Sequence, residues 1–266
     1  MDIQKLLGDA EEKPLERMVS DGGFCGIFRS IGCVGDSLSS GEFEAFDARG
    51  EKTYNDLFDY SWGQFLARMA GCKVLNFSRG GMTAKEYCDS FARDQGFWDP
   101  EKACQAYIIA LGVNDLLNCN MPVGDADLDV DVLDSTSNDL TTFVGYYGLL
   151  VSRLKKISPK AKFFFMTMPR SDMETPEGIA KKQAHGRALY RLAERFGNAY
   201  VLDFFQYAPV YDQAFRDAFY LGGHMNPCGY LLTARMVASY IDYIIRHNMT
   251  DFKEAAFIGT ELHYSE

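Results

Sequence analysis

Phe28-Arg29-Ser30-Ile31-Gly32-Cys33-Val34 runs directly into Gly35-Asp36-Ser37-Leu38. The first seven residues form an apolar stretch of strand composition, and the next four are small and polar. A buried strand that opens into a loop here sets the Ser37 hydroxyl at a strand end, where a nucleophile can stand. Gly/Asp/Ser turns also arise simply because Asp and Ser side chains bond nearby backbone groups. The junction therefore takes its meaning from the segments that accompany it.

Three further segments open just past a core element. Asn76-Phe77-Ser78-Arg79-Gly80-Gly81 follows a second apolar run, Gly112-Val113-Asn114-Asp115 follows a third, and Gly223-His224-Met225-Asn226 precedes a last amphipathic helix. In order, spacing and placement the four segments together resemble the GDSL or SGNH hydrolase superfamily, named for a serine, a glycine, an asparagine and a histidine in four separate blocks. The resemblance covers most of the chain. It implies an esterase or lipase-like hydrolase acting on a small-molecule acyl ester, with Ser37 as nucleophile and His224 as base. The oxyanion donors it implies are the Ser37 and Gly81 backbone N–H groups and the Asn114 side-chain amide. One part of the pattern is missing: the aspartate usual three residues before the histidine is Leu221 here.

A chain of 266 residues with 47% hydrophobic content can build one sizeable core. One domain over 1–266 is expected, with a polar N-terminal arm at about 1–23 and a short C-terminal extension at about 248–266. The net charge of −10 argues against nucleic-acid and anionic-membrane partners, which need clustered Lys and Arg. Met1 to Ser20 lacks the apolar centre of a secretory signal, and no run reaches the roughly 20 apolar residues of a membrane span. A cytoplasmic location is expected. The seven cysteines, at 25, 33, 72, 88, 104, 119 and 228, form no Cys-x-x-Cys pair and read as reduced packing residues. Only Cys228 lies near a group, His224, that would lower a thiol pKa.

Apolar runs of strand composition occur at 28–34, 73–77, 106–111, 162–167 and 199–204. Helical spacing links Trp62, Phe65, Leu66 and Met69, then Phe143, Tyr147, Leu150 and Leu154, then Leu189, Leu192 and Phe196 before Gly197. The stripe Tyr230, Ala234, Val237, Ile241, Ile244 and Ile245 marks the last helix, with Asn226 as N-cap and Pro227 in the first turn. Strands that are apolar throughout and alternate with helices predict an α/β chain: a three-layer α/β/α sandwich on a five-stranded parallel sheet. The flavodoxin-like order 2-1-3-4-5 makes the loops carrying Ser37, Gly81 and Asn114 neighbours at the switch point. His224 must then return about 14 Å across the sheet edge, a distance the stretch 205–223 can span.

A serine hydroxyl needs a base at neutral pH. Of the four histidines, His185, His247 and His263 read as surface or helix-end residues, which leaves His224. Asp36 and Asp115 are expected to turn inward and bond backbone N–H groups, as supports of their loops. Arg79 and Arg170 are candidates for contact with a polar or anionic substrate, with solvated positions as the alternative. The missing aspartate leaves several partners open for His224 Nδ1: a backbone carbonyl of Leu221 or a neighbour, a water, Asp217 or Asp212. The polar segment 39–60 is expected to form a lid or excursion beside the nucleophile. The alternating carboxylates at 125–131 depart from a calcium loop at Val130 and Thr136, and read as a solvated acidic loop. No Gly-rich phosphate cradle follows the first strand, so neither cofactor nor metal is expected. Removal of acetyl from a carbohydrate is one expected reaction. The alternative is a non-catalytic ligand- or glycan-binding protein on the same fold.

Overall fold

The computed structural model describes residues 7–8 and 11–264. Five apolar segments become the parallel strands β1 (Ser30–Gly35), β4 (Lys73–Ser78), β5 (Ala106–Ala110), β6 (Lys162–Met166) and β7 (Ala199–Leu202), in the order β4-β1-β5-β6-β7. That is the expected 2-1-3-4-5 arrangement. The pleat sorts the strands' side chains between two cores. Tyr107, Ile109, Phe163 and Phe165 enter one, while Ala106, Ile108, Phe164 and Met166 enter the other. Because both faces are covered, most strand residues are apolar.

The principal helices are α1 (Ser37–Ser40), α2 (Trp62–Ala70), α3 (Phe143–Ile157), α4 (Pro176–Phe196), α5 (Gln213–Phe219) and α6 (Pro227–His247). Helices α3 and α4 cover the first face, and α2 and α6 the second. Their starts are set by local chemistry. Ser61, Thr142, Thr175 and Asn226 each accept a backbone N–H of the first turn, and Pro176 and Pro227 follow two of these caps. Gly197 ends α4 in a positive-φ conformation.

Two sequence expectations change. His185 is fully buried, with its ring 5.2 Å from that of Phe143; α4 carries it on the stripe it shares with Leu189, Leu192 and Phe196, behind polar neighbours that hid the pattern. All seven cysteines are free, but Cys119 and Cys228 are exposed and serve no packing role. The C-terminal stretch contributes Phe252, Ala255 and Ile258 to the α2/α6 core.

The segment 39–60 is an antiparallel hairpin, β2 (Glu42–Phe46) with β3 (Lys52–Asp56), standing beside α1. A second short ladder pairs β8 (Tyr220–Leu221) with β9 (His224–Met225) just before α6. At the far end of α6, Arg246 is 2% exposed and held between Asp242 and Glu12, which ties the N-terminal arm to the core.

Candidate functional site

Gly35, at the end of β1, pairs with Ser78 on one side and Ala110 on the other, so the loops after β1, β4 and β5 leave the sheet at the same level. The first loop is one residue long. Asp36 caps α1 by accepting the Leu38 N–H at 3.1 Å, and Ser37 is the first residue of the helix, half-buried. In the second loop Gly81 has φ +74°, a conformation glycine adopts without strain, and nothing stands within 4 Å of where a Cβ would point. Its surface is open to an approaching ligand. In the third, the Asn114 amide is held on both sides: Nδ2 donates to the Met82 carbonyl at 3.0 Å, and Oδ1 accepts from Asn118 Nδ2 at 2.7 Å. One Asn114 N–H stays available. The fourth block arrives on β9.

Ser37, Gly81, Asn114 and His224 line one cavity of about 350 Å³, together with Asp36, Leu38, Glu42, Val113, Asn118 and Gly223. A second, apolar hollow of about 60 Å³ shares Asp36, Leu38 and Val113 with it and reaches toward Trp62, Met166 and Phe204.

Asp36 and Asp115 each accept a backbone N–H. Asp115 is fully buried and accepts the Ala84 N–H at 2.9 Å, linking the loop after β5 to the one after β4; its other oxygen has no partner. Burial pushes the Asp36 carboxyl up to about 7, with the Asp115 charge adding to the effect, and pushes that of Asp115 up to about 6. Protonation at either position lessens the negative charge beside the cavity. Beneath the third loop, His185 Nε2 lies 3.2 Å from the Leu111 carbonyl, and burial lowers its pKa to about 4.

The two arginines stand elsewhere. Arg79 pairs with Glu86 and lies over the Phe91 ring, and Arg170 lies 6.0 Å from the Phe205 ring centre; neither lines the cavity. The carboxylates of 125–134 are taken up by their own loop and by α4. Asp129 accepts the Asp125 N–H, Asp131 accepts the N–H groups of Leu133 and Asp134, and Asp127 pairs with Arg191. Among the described residues no cluster of His, Cys, Asp or Glu is arranged to hold a metal ion.

The partner of His224 Nδ1 is none of those anticipated. Asp212 caps α5 through the Phe215 N–H, Asp217 accepts from Gln213, and Leu221 pairs with His224 across the β8–β9 ladder with its side chain exposed. Instead Glu44 Oε1 lies 3.2 Å from Nδ1, and Glu42 Oε1 lies 3.0 Å from Nε2. Two carboxylates from one strand therefore grip the imidazole. The sequence carried a signal for that strand: Glu42-Phe43-Glu44-Ala45 alternates with period two, and Asp47-Ala48-Arg49-Gly50 supplies a turn. Nothing local reveals that its polar face meets a residue 180 positions away.

Comparison with known proteins agrees with this architecture. A carbohydrate esterase family 2 enzyme with its carbohydrate-binding domain, from Corynascus thermopiles (Myceliophthora fergusii), matches with a TM-score of 0.55 at 17% identity, covering 85% of this chain and 67% of that one. A family two carbohydrate esterase from Clostridium thermocellum, solved with cellohexaose, matches with a TM-score of 0.54 at 18% identity, covering 91% and 67%. At such identities the likeness is one of fold. A search among curated proteins returns no match. No helix among the described residues is long and apolar enough to cross a membrane. The model of the GDSL-like lipase/acylhydrolase family matches residues 33–232, a span that holds all four blocks from Ser37 to His224, and the chain belongs to that family.

Proposed function

We propose that the protein is a serine esterase that releases a small acyl group through an acyl-serine intermediate, with Ser37 as nucleophile and His224 as base. The observation that carries this reading is the convergence of Ser37, Gly81, Asn114 and His224 on one cavity. Ser37 Oγ attacks the acyl carbon while its proton passes to the imidazole. The negative oxygen formed meets the N–H groups of Ser37, Gly81 and Asn114, each worth on the order of 3 kcal/mol in the transition state. The alcohol departs with the proton, and water then reverses the sequence to free the acid.

The apolar hollow of about 60 Å³ beside the site, lined in part by Trp62, Met166 and Phe204, suits a short acyl chain. Acetyl on a carbohydrate is the substrate class favoured here. The cavity rim is polar, and Tyr54 on β3, 58% exposed with its ring 6.0 Å from that of His224, offers a flat face of the kind sugars stack on. Both solved enzymes compared above are described as carbohydrate esterases. The test is hydrolysis of aryl acetate, butyrate and octanoate. Acetate and butyrate should be turned over and octanoate should not, and Ser37→Ala should remove at least about 10³-fold of the rate. Activity untouched by the substitution would dismiss Ser37 from the role.

One contact favours a second reading, a glycan-binding protein without catalysis: Glu42, not Ser37, is the group that faces His224 Nε2 at 3.0 Å. A fluorophosphonate probe separates the two. Covalent labelling at Ser37 supports the esterase, and absence of labelling with retained glycan binding supports the binding protein.

A further inference from the structure

We propose that Glu44, carried on the hairpin that follows the nucleophile, is the positioning acid of His224 and takes the place of the aspartate that Leu221 replaces; this rests on the Ser37–His224 reading above. The carboxylate is built in. Its side chain is 9% exposed, Oε1 accepts the Gly223 N–H at 2.7 Å and lies 3.2 Å from His224 Nδ1, and Oε2 accepts from Lys52 Nζ at 2.6 Å. One oxygen thus holds both the imidazole and the backbone that carries it. Lys52, the largest influence, keeps the Glu44 carboxyl below the usual range.

An ionised carboxylate only accepts, so Nδ1 must carry the proton and, in a neutral imidazole, Nε2 keeps its lone pair. Glu42 on the other side fits that tautomer. Burial raises its pKa, so it is the carboxyl of the two that protonates more readily and can donate to Nε2. Tyr54 lies at the edge of the ring, and the charge of Asp56 acts on Glu42. During attack the Ser37 Oγ–C bond forms, the carbonyl π pair moves onto oxygen, and the Oγ proton goes to Nε2. The Nδ1 proton stays where it is, facing an ionised Glu44, and the Nε2 proton leaves with the alcohol as the ester C–O bond breaks.

The test is Glu44→Gln in the full chain. An amide at 44 sets an NH₂ group against Lys52 in one orientation, leaving Nδ1 only an uncharged acceptor, and against the Gly223 N–H and Nδ1 in the other, so in either case the imidazole loses its ionised acceptor. The expected result is a fall in kcat of about 10² to 10⁴-fold with KM nearly unchanged, and partial recovery in Glu44→Asp. Nitrogen-15 NMR of His224 gives a readout that does not need turnover. Wild type and Ser37→Ala should show the Nδ1-protonated tautomer, and Glu44→Gln should lose it. Glu44→Gln with kcat within threefold of wild type, or an Nε2-protonated His224 in wild type, would overturn the assignment. Should Glu44→Gln fail to fold, the tautomer in wild type and the kcat of Glu44→Asp decide. Full activity in Ser37→Ala would instead remove the esterase reading, with the tautomer still judging Glu44.

Discussion

Replacing Asp115 with asparagine should stabilise the protein at alkaline pH and do so less as the pH falls. Burial lifts the Asp115 carboxyl from 3.8 to about 6. Between those values the folded chain holds a proton that the unfolded chain has released, so stability falls as pH rises through the window, and the full deficit stands above 6. The deficit is about 1.36 × (6 − 3.8), or roughly 3 kcal/mol. Asparagine removes the charge and keeps an oxygen for the Ala84 N–H, but its NH₂ replaces an oxygen that already lacks a partner, which costs about 1 kcal/mol. A net gain of about 2 kcal/mol is expected at pH 8, falling below about 1 kcal/mol at pH 5. Loss of the Asp115 charge also eases Asp36, whose carboxyl it helps hold at about 7, in the same direction. His185 works with the opposite sign: its pKa is lowered to about 4, so its contribution is lost as pH falls from about 6.5 toward 4, equally in both proteins. Urea unfolding of wild type and variant at pH 5, 6, 7 and 8 reads the difference. A gain that does not change with pH, or a loss at pH 8, would refute the account.

Two further substitutions probe the site. Asn114→Ala should lower kcat by about 10² to 10³-fold with little change in KM, measured on aryl acetate, because it removes a donor that acts on the developing oxyanion; a change confined to KM would place Asn114 in ground-state binding only. Glu42→Gln should speed labelling of Ser37 by a fluorophosphonate at least threefold, since it weakens the carboxyl's hold on Nε2; an unchanged labelling rate would show that Glu42 does not compete for the base.

The sheet and its order were legible because a parallel sheet buried on both faces writes its strands as largely apolar runs, as in Phe163 to Met166. The start of α6 was legible for a local reason, since Asn226 and Pro227 carry the cap and first turn by themselves. The four blocks were readable as candidate site segments because three lie where a core strand ends and the fourth where the last helix begins. What could not be read depends on distant partners. Nothing near Arg79 indicates that its guanidinium turns to Glu86 and Phe91 instead of the cavity. His185 looked exposed among Lys181, Lys182 and Arg187, and only the phase of a 21-residue helix buries it. The grip of Glu44 on His224 needs a hairpin, a returning chain and a second short ladder to meet.

Glu42 and Glu44 are two residues apart on β2, so the pleat turns both toward the imidazole, while Phe43 between them faces the Tyr230 ring 5.4 Å away. That parity makes the site sensitive to chain length in a way it is not to side-chain identity. One residue inserted or deleted ahead of Glu42 would swing both acids to the aromatic side and present a phenylalanine to the base. Length changes confined to the tip, 47–51, leave the parity intact, so variants of this chain that differ in tip length should share their chemistry, and variants offset by one within β2 should not.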